Sequence, residues 1–239
     1  MILGIDEAGR GPCIGPMVMC GTIVDETNLE ALDTLKKIGV KDSKKLSPEK
    51  RANINKVLKQ RKLIVDYFVV KIPAYKIDEA VMREGDSLNV LEMRTQVKII
   101  TELSRKNRLD KVVIDCPSIN TVSYKKALLE LLKERPEEKN SKKTEIICEH
   151  RADENYIMVS AASIIAKVAR DAEIEKLQRK YKKTEYGTLG SGYSSDVLTI
   201  EFLKHNFERL SGDKELFRKS WQTYKDVVKA KSQKKLGDF

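Results

Sequence analysis

The first sixteen residues, MILGIDEAGRGPCIGP, constrain the chain more than any other stretch. A short apolar run, Met1 to Ile5, meets two adjacent carboxylates, Asp6 and Glu7. Ala8 then leads into Gly9-Arg10-Gly11-Pro12. This order predicts a buried strand that carries acids at its C-terminal end and then breaks into a glycine turn. The turn exposes backbone N–H groups, which suit a hydroxyl or an oxyanion, beside carboxylates that suit a hard cation such as Mg²⁺ or Mn²⁺. An Asp-Glu pair elsewhere would read as a solvated surface turn. Here the sequence of parts favours a site.

A chain of 239 residues buries a substantial core and is expected to form one domain, or one domain with an appendage. Lys and Arg number 46 against 36 Asp and Glu, a formal charge of +10. That excess favours a polyanionic partner, nucleic acid before acidic membrane, although a merely soluble, highly charged protein shares it. Cys13, Cys20, Cys116 and Cys148 form no Cys-x-x-Cys pair, and Cys148-x-His150 alone is a weak metal signal. Four reduced thiols in a cytoplasmic protein are expected. The N-terminal apolar run is too short for a signal peptide. Tyr156–Ala169, interrupted by Ser160, Ser163 and Lys167, is not expected to cross a membrane.

Along the chain, strands are expected at Met1–Ile5, Val18–Val24, Leu63–Ile72, Lys111–Asp115 and Thr144–Glu149. Helices are expected at Asn28–Ile38, from Pro48 to about Gln60, at Pro73–Arg83, Ser87–Arg105 and Tyr124–Leu132. Further helices are expected from His150–Asn155 to about Tyr181, at Val197–Arg209 and at Lys219–Lys231. Glu134–Lys143 reads as a charged loop. The order predicts an α/β chain with a mixed five-stranded sheet flanked by helices.

Three strands end in or near acids: Asp6 and Glu7, then Asp115, then Asp153. Side by side in a sheet, these carboxylates would converge and repel unless divalent cations bound them. Two ions about 3.5–4 Å apart would suit in-line displacement at a phosphodiester. Alternation along a strand, however, sends Asp6 and Glu7 to opposite faces unless Gly4 or Gly9 permits a bend. Taken singly, Asp153 also reads as a helix cap and Asp115 as an ordinary strand-end acid.

GIDEAGRGP resembles the opening of the ribonuclease HII family, the type 2 ribonucleases H, in its archaeal-like form. DCPS (Asp115–Ser118), HRAD (His150–Asp153), SAASIIAKVARD (Ser160–Asp171) and GSGY (Gly190–Tyr193) resemble further blocks of that family in the same order. The resemblance implies a ribonuclease H-like fold over residues 1–180, a helical region over 181–231 that completes the substrate cleft, and a flexible tail over 232–239. It implies an endonuclease, expected as a monomer, that cuts the RNA strand of RNA–DNA hybrids and cuts 5′ to ribonucleotides embedded in duplex DNA. Asp6, Glu7, Asp115 and Asp153 would hold two Mg²⁺ or Mn²⁺ ions. Gly9, Arg10 and Gly11 would contact the 2′-hydroxyl, Tyr193 would stack on the neighbouring deoxyribose, and Lys44, Lys45, Lys167 and Arg170 would meet phosphates.

Ser194 stands where the family pattern has proline, which puts the rigidity of that loop in question. Two other readings are a different nuclease of the same fold, which would lack Gly-Arg-Gly, and a non-catalytic hybrid-binding protein, which would have lost an acid. Gln233, Leu236 and Phe239 have the spacing of a sliding-clamp docking peptide, here at a lysine-rich terminus where chance also produces it.

Overall fold

The N-terminal apolar run becomes β1 (Ile2–Ala8), buried on both faces as the central strand of a five-stranded sheet. The computed structural model describes the chain except residues 41–42, 44–45, 61–62, 135–143, 183–184 and 238–239, with the side chains of 234–237 also set aside. The expected charged loop Glu134–Lys143 therefore lies almost wholly outside the described residues.

The other strands are β2 (Met17–Val24), β3 (Asp66–Ile72), β4 (Lys111–Asp115) and β5 (Glu145–Glu149), in the order β3-β2-β1-β4-β5. β1 pairs antiparallel with β2 and parallel with β4, and β4 pairs parallel with β5, so the sheet is mixed as expected. The helices are α1 (Leu29–Lys37), α2 (Pro48–Gln60), α3 (Ala74–Met82), α4 (Leu88–Ser104), α5 (Thr121–Lys133), α6 (Ala152–Asn155), α7 (Ile157–Lys180), α8 (Val197–Asn206) and α9 (Gln222–Gly237). Asn28 caps α1 through Ala31 N–H, and Ser47 accepts from Lys50 N–H before Pro48 opens α2.

Contacts divide the chain into two compact units. The first holds Met1–Ala8, Val18–Val70 and Asn89–Ala169; the second holds Gly9–Met17, Lys71–Leu88 and Arg170–Phe239. This differs from the expected division at residue 180, and hydrogen bonding explains why. The segment after Ala8 joins the C-terminal region because Ile14 bridges Phe217, Gly15 N–H donates to Leu216 O, and Cys13 N–H donates to Gly192 O. α3 joins it because the Asp78 carboxylate accepts from the backbone N–H groups of Lys219 and Ser220 and from the Ser220 hydroxyl.

In the first unit, strand alternation gives the sheet two faces. Ile2, Ala8, Val18, Cys20 and Val113 pack in one apolar cluster with Met158, Ala162 and Ile165 of α7 and with Ile54 and Leu58 of α2. Gly4 faces this side, where a Cβ would lie 2.5 Å from the Met158 carbonyl carbon and the Val159 nitrogen. Gly4 thus admits close approach of α7, and β1 runs unbent through Ala8. The opposite face meets α4, with Gly21 against Ile99 and Leu103. The second unit has its own core of Phe202, Phe207, Phe217, Tyr224 and Tyr181 around Cys13 and Ile14.

Several helix boundaries differ from expectation: α5 begins at Thr121 and not Tyr124, α8 ends at Asn206 and not Arg209, and α9 begins at Gln222 and not Lys219. The long helix after β5 is broken at Tyr156, which is extended between α6 and α7. The last helix was expected to end at Lys231 and instead continues to Gly237, so the start of the expected flexible tail is helical.

Candidate active site

Two acids, Asp6 and Asp153, gather around Asp115, the last residue of β4. β1 and β4 pair in parallel with Ile5 opposite Ile114, so one further step sets Asp6 beside Asp115 on the α7 face. On the other side, Asp115 Oδ1 accepts a 3.0 Å hydrogen bond from Ala152 N–H, which places Asp153, the next residue, next to it. Arg151 makes this possible by taking a left-handed conformation (φ 58°, ψ 36°), the single non-glycine positive φ among the described residues. A bulky side chain there carries strain, held in place by Arg151 Nε on Glu154 at 2.6 Å. Ser160 Oγ donates to Asp153 O and ties α6 to the start of α7.

Asp6 is buried at 4% exposure and Asp153 is wholly buried. Burial raises the Asp6 pKa to about 7, with the Asp115 carboxylate pushing the same way. The Ser163 hydroxyl and the Lys167 ammonium, one helical turn apart on α7, pull it down. Ser163 Oγ also lies 2.8 Å from Ser43 Oγ, and both serines are buried. Ser43 is therefore fixed beside the acids; Lys44 and Lys45, which follow it, lie outside the described residues.

Glu7 behaves differently. Its charge is felt by the Cys116 thiol and the Tyr124 hydroxyl, together with the charge of the buried Glu92. These groups belong to the face opposite Asp6, so the alternation that sequence reasoning anticipated holds, and neither glycine bends the strand. Among the described residues, no three of His, Cys, Asp and Glu already surround a common point as a metal cage. The donor set still fits a hard divalent cation: two adjacent carboxylates, one buried and held half-protonated near neutral pH, gain most from a positive charge between them.

The remaining candidate residues belong to the second unit. Gly9 has φ +81°, and a Cβ there would lie 2.8 Å from Pro16 O, so glycine is required. Gly11 is exposed with open space around its α-carbon, and Arg10 is half-buried. Tyr193 is 40% exposed. Arg170, expected as a phosphate contact, is only 6% exposed; its Nη2 donates to Ser191 O at 2.7 Å and its guanidinium stacks 4.8 Å from the Tyr193 ring centroid. It braces Tyr193 from beneath.

The missing proline at 194 is compensated locally. Asp196 accepts from Ser191 N–H at 2.7 Å and caps α8 through Leu198 N–H, while Thr199 Oγ1 accepts from Gly192 N–H at 2.9 Å. Sequence reasoning did not single out Ser43, Ser163, Asp196 or Thr199; the pairing Asp196-x-x-Thr199 at a helix start was the available signal for the last two. Gln233 is exposed on α9, Leu236 lies within that helix, and Phe239 is outside the described residues.

A family model described as Ribonuclease HII matches residues 3–224, nearly the whole chain. The chain belongs to the ribonuclease HII family. Ribonuclease HII of Thermococcus sibiricus is 39% identical over 241 residues, covering 99% of this chain and 96% of the relative. The crystal structure of ribonuclease H2 from Pyrococcus horikoshii OT3 superposes with a TM-score of 0.76 at 35% identity, covering 96% of this chain and 97% of the other. The ribonuclease HII solved as a complex with PCNA from Archaeoglobus fulgidus gives 0.75 at 32% identity, covering 95% and 96%. The fold is ribonuclease H-like, and the protein is a ribonuclease H, a hydrolase of phosphodiesters.

Proposed function

We propose that this ribonuclease HII hydrolyses the RNA strand of RNA–DNA hybrids and cuts 5′ to single ribonucleotides in duplex DNA, leaving 3′-hydroxyl and 5′-phosphate ends. The observation that carries the reading is the gathering of Asp6 and Asp153 around Asp115 in a chain of this family. Asp6, Asp115 and Asp153 would hold two Mg²⁺ or Mn²⁺ ions, with Glu7 joining them from the opposite face of β1 at the strand's end. Ions bound there supply Lewis acidity, a water of lowered pKa and charge neutralisation at the scissile phosphate.

The chain's own groups do the rest. Ala152 N–H orients the Asp115 carboxylate, and Ser163 with Lys167 favours the ionised, cation-binding form of Asp6 against the opposing effects of burial and Asp115. A hydroxyl at the 2′-position is both donor and acceptor, which the backbone of Gly9-Arg10-Gly11 is suited to meet, since glycine lets main chain approach a sugar. The exposed Tyr193 ring, kept flat on Arg170, offers its outer face to a deoxyribose. Lys44, Lys45 and Lys167 would contact phosphates, in keeping with a net charge of +10.

Gln233, Leu236 and Phe239 would dock on a sliding clamp; the Archaeoglobus fulgidus relative whose structure is a complex with PCNA supports that partner. We place the enzyme in the cytoplasm as a monomer. The deciding experiment incubates the protein and Mg²⁺ with duplex DNA carrying one ribonucleotide and maps the cut. Cleavage 3′ to the ribonucleotide, or none, would reject the reading.

A further inference from the structure

The loop from Gly9 to Gly15 turns its carbonyl oxygens inward, onto two side chains more than two hundred positions away. Arg218 is fully buried and reaches three of them: Nη2 to Gly9 O at 2.6 Å, Nη1 to Arg10 O at 2.9 Å and Nε to Gly15 O at 3.0 Å. The indole Nε1 of Trp221 donates to Gly11 O at 3.0 Å, and the Arg218 guanidinium lies 5.0 Å from the Trp221 ring centroid. The backbone beside them is fastened too, with Arg218 N–H on Cys13 O at 2.9 Å.

A buried cation whose hydrogen bonds go to neutral carbonyls is an expensive way to close a loop. Burial, and then the charge of Arg170, press the Arg218 pKa down to about 9, so it still carries its proton at neutral pH. What the arrangement achieves is orientation. In a trans peptide the carbonyl of one residue and the N–H of the next point in opposite directions. Carbonyls of Gly9 and Arg10 drawn onto the guanidinium therefore turn the N–H groups of Arg10 and Gly11 the other way. Pro12 has no N–H to offer, and there the Gly11 carbonyl is taken by Trp221 instead.

We propose that Arg218 and Trp221 are the positioning residues of the ribonucleotide-sensing turn, holding its carbonyls inward so that the N–H groups of Arg10 and Gly11 face the sugar. This rests on the reading of Gly9–Gly11 as the part of the chain that senses the 2′-hydroxyl. The guanidinium fork is needed because its three donors span from Gly9 to Gly15 in one plane; a lysine ammonium keeps the charge and loses the span. Neither residue touches substrate in this account.

The test uses the full-length enzyme with Mg²⁺. Trp221→Phe keeps a ring over the guanidinium and removes only the donor to Gly11, and Arg218→Lys keeps the charge. Each should slow single-turnover cleavage at an embedded ribonucleotide by at least about tenfold with little change in KM, the mark of lost orientation rather than lost binding. Each should also move the amide resonance of Gly11 in a glycine-labelled sample. Guanidinium ion at millimolar concentration should restore Arg218→Ala and leave Asp115→Asn inactive; should Arg218→Ala fail to fold, Trp221→Phe carries the test. Wild-type rates in Trp221→Phe and Arg218→Lys, or an unmoved Gly11 resonance in both, would overturn the inference. If the wild-type enzyme itself does not cut at the ribonucleotide, the functional reading is what fails, and the Gly11 resonance still decides whether the two side chains hold the turn.

Discussion

Asp115 sits between Asp6, set beside it one step beyond the β1–β4 pairing, and Asp153, brought to it through Ala152 N–H. Asp115→Asn keeps the shape and still accepts that hydrogen bond, so the fold should persist while cleavage falls by at least about a hundredfold. Circular dichroism with a gel assay at saturating Mg²⁺ checks both halves, and near-normal turnover would remove Asp115 from the site. Asp6 gives a prediction of the opposite kind. Its pKa in the fold is raised to about 7 from an ordinary 3.8, so the neutral form is favoured. The corresponding stability is complete below about pH 4 and lost as pH rises through 7. In EDTA, the protein should lose several degrees of Tm between pH 5.5 and 8, and Asp6→Asn should flatten that slope. Added Mg²⁺ should restore the wild-type Tm at pH 8 and leave the Asn variant unmoved. A parallel pH slope in the variant would locate the titrating group elsewhere. These acids were legible in the sequence because three separate strands end in or near them and the same residues fall in the blocks that resemble the family. Ser43 and Ser163 were not, since two small hydroxyls 120 positions apart carry no pattern until packing joins them.

At the scale of elements, the positions that escaped sequence reading are those where backbone geometry overrides residue type. Gly4 read as a possible bend in β1, yet its missing side chain makes room for α7. The five strands were legible from their β-branched and apolar runs, although β1 proved longer, reaching Ala8, and β3 shorter, starting at Asp66. The break at Tyr156 was not legible, because nothing in RADENYIM is a helix breaker; nor was the left-handed Arg151, which aims Ala152 N–H at Asp115. Relieving that strain gives a clean prediction. Arg151→Gly removes the steric cost of positive φ and forfeits the ion pair with Glu154, an exposed pair worth no more than about 1 kcal/mol. The two changes nearly cancel, so stability in urea should stay within about 1 kcal/mol of wild type. Arg151→Val places a β-branched residue in the left-handed region and should cost about 1–3 kcal/mol. Equal losses in both variants would mean that the arginine's contacts, and not the φ angle, set the energetics.

For the whole molecule, the two units differ in how much of each was legible. The sheet unit follows from periodicity and strand-end acids, whereas the second unit is assembled from three segments far apart in sequence, Gly9–Met17, Lys71–Leu88 and Arg170–Phe239, through hydrogen bonds no local pattern announces. Its last helix bears on the proposed clamp partner. Tyr224, Val227 and Val228 pack α9 into the aromatic core, and Lys231 pairs with Glu208 at 2.5 Å. Beyond Lys231, Ser232 Oγ bonds back to Val228 O within the same helix, and Gln233 is exposed. Gln233 and Leu236 stand three residues apart in the sequence, the spacing that docking of a short helical turn into an apolar pocket requires. Removing Gln233–Phe239 therefore leaves every described core contact of α9 in place. The truncated enzyme should unfold within about 2 °C of the full-length protein and cut free duplex at the same rate, because the described core contacts of α9 all lie before Gln233. Its affinity for the clamp of the same cell should drop by at least about tenfold, the loss expected when an aromatic and an aliphatic anchor leave together. Titration of both proteins against that clamp by calorimetry decides the matter: equal affinity would leave the end of α9 without a partner, and slower cutting of free duplex would assign it to the nuclease itself.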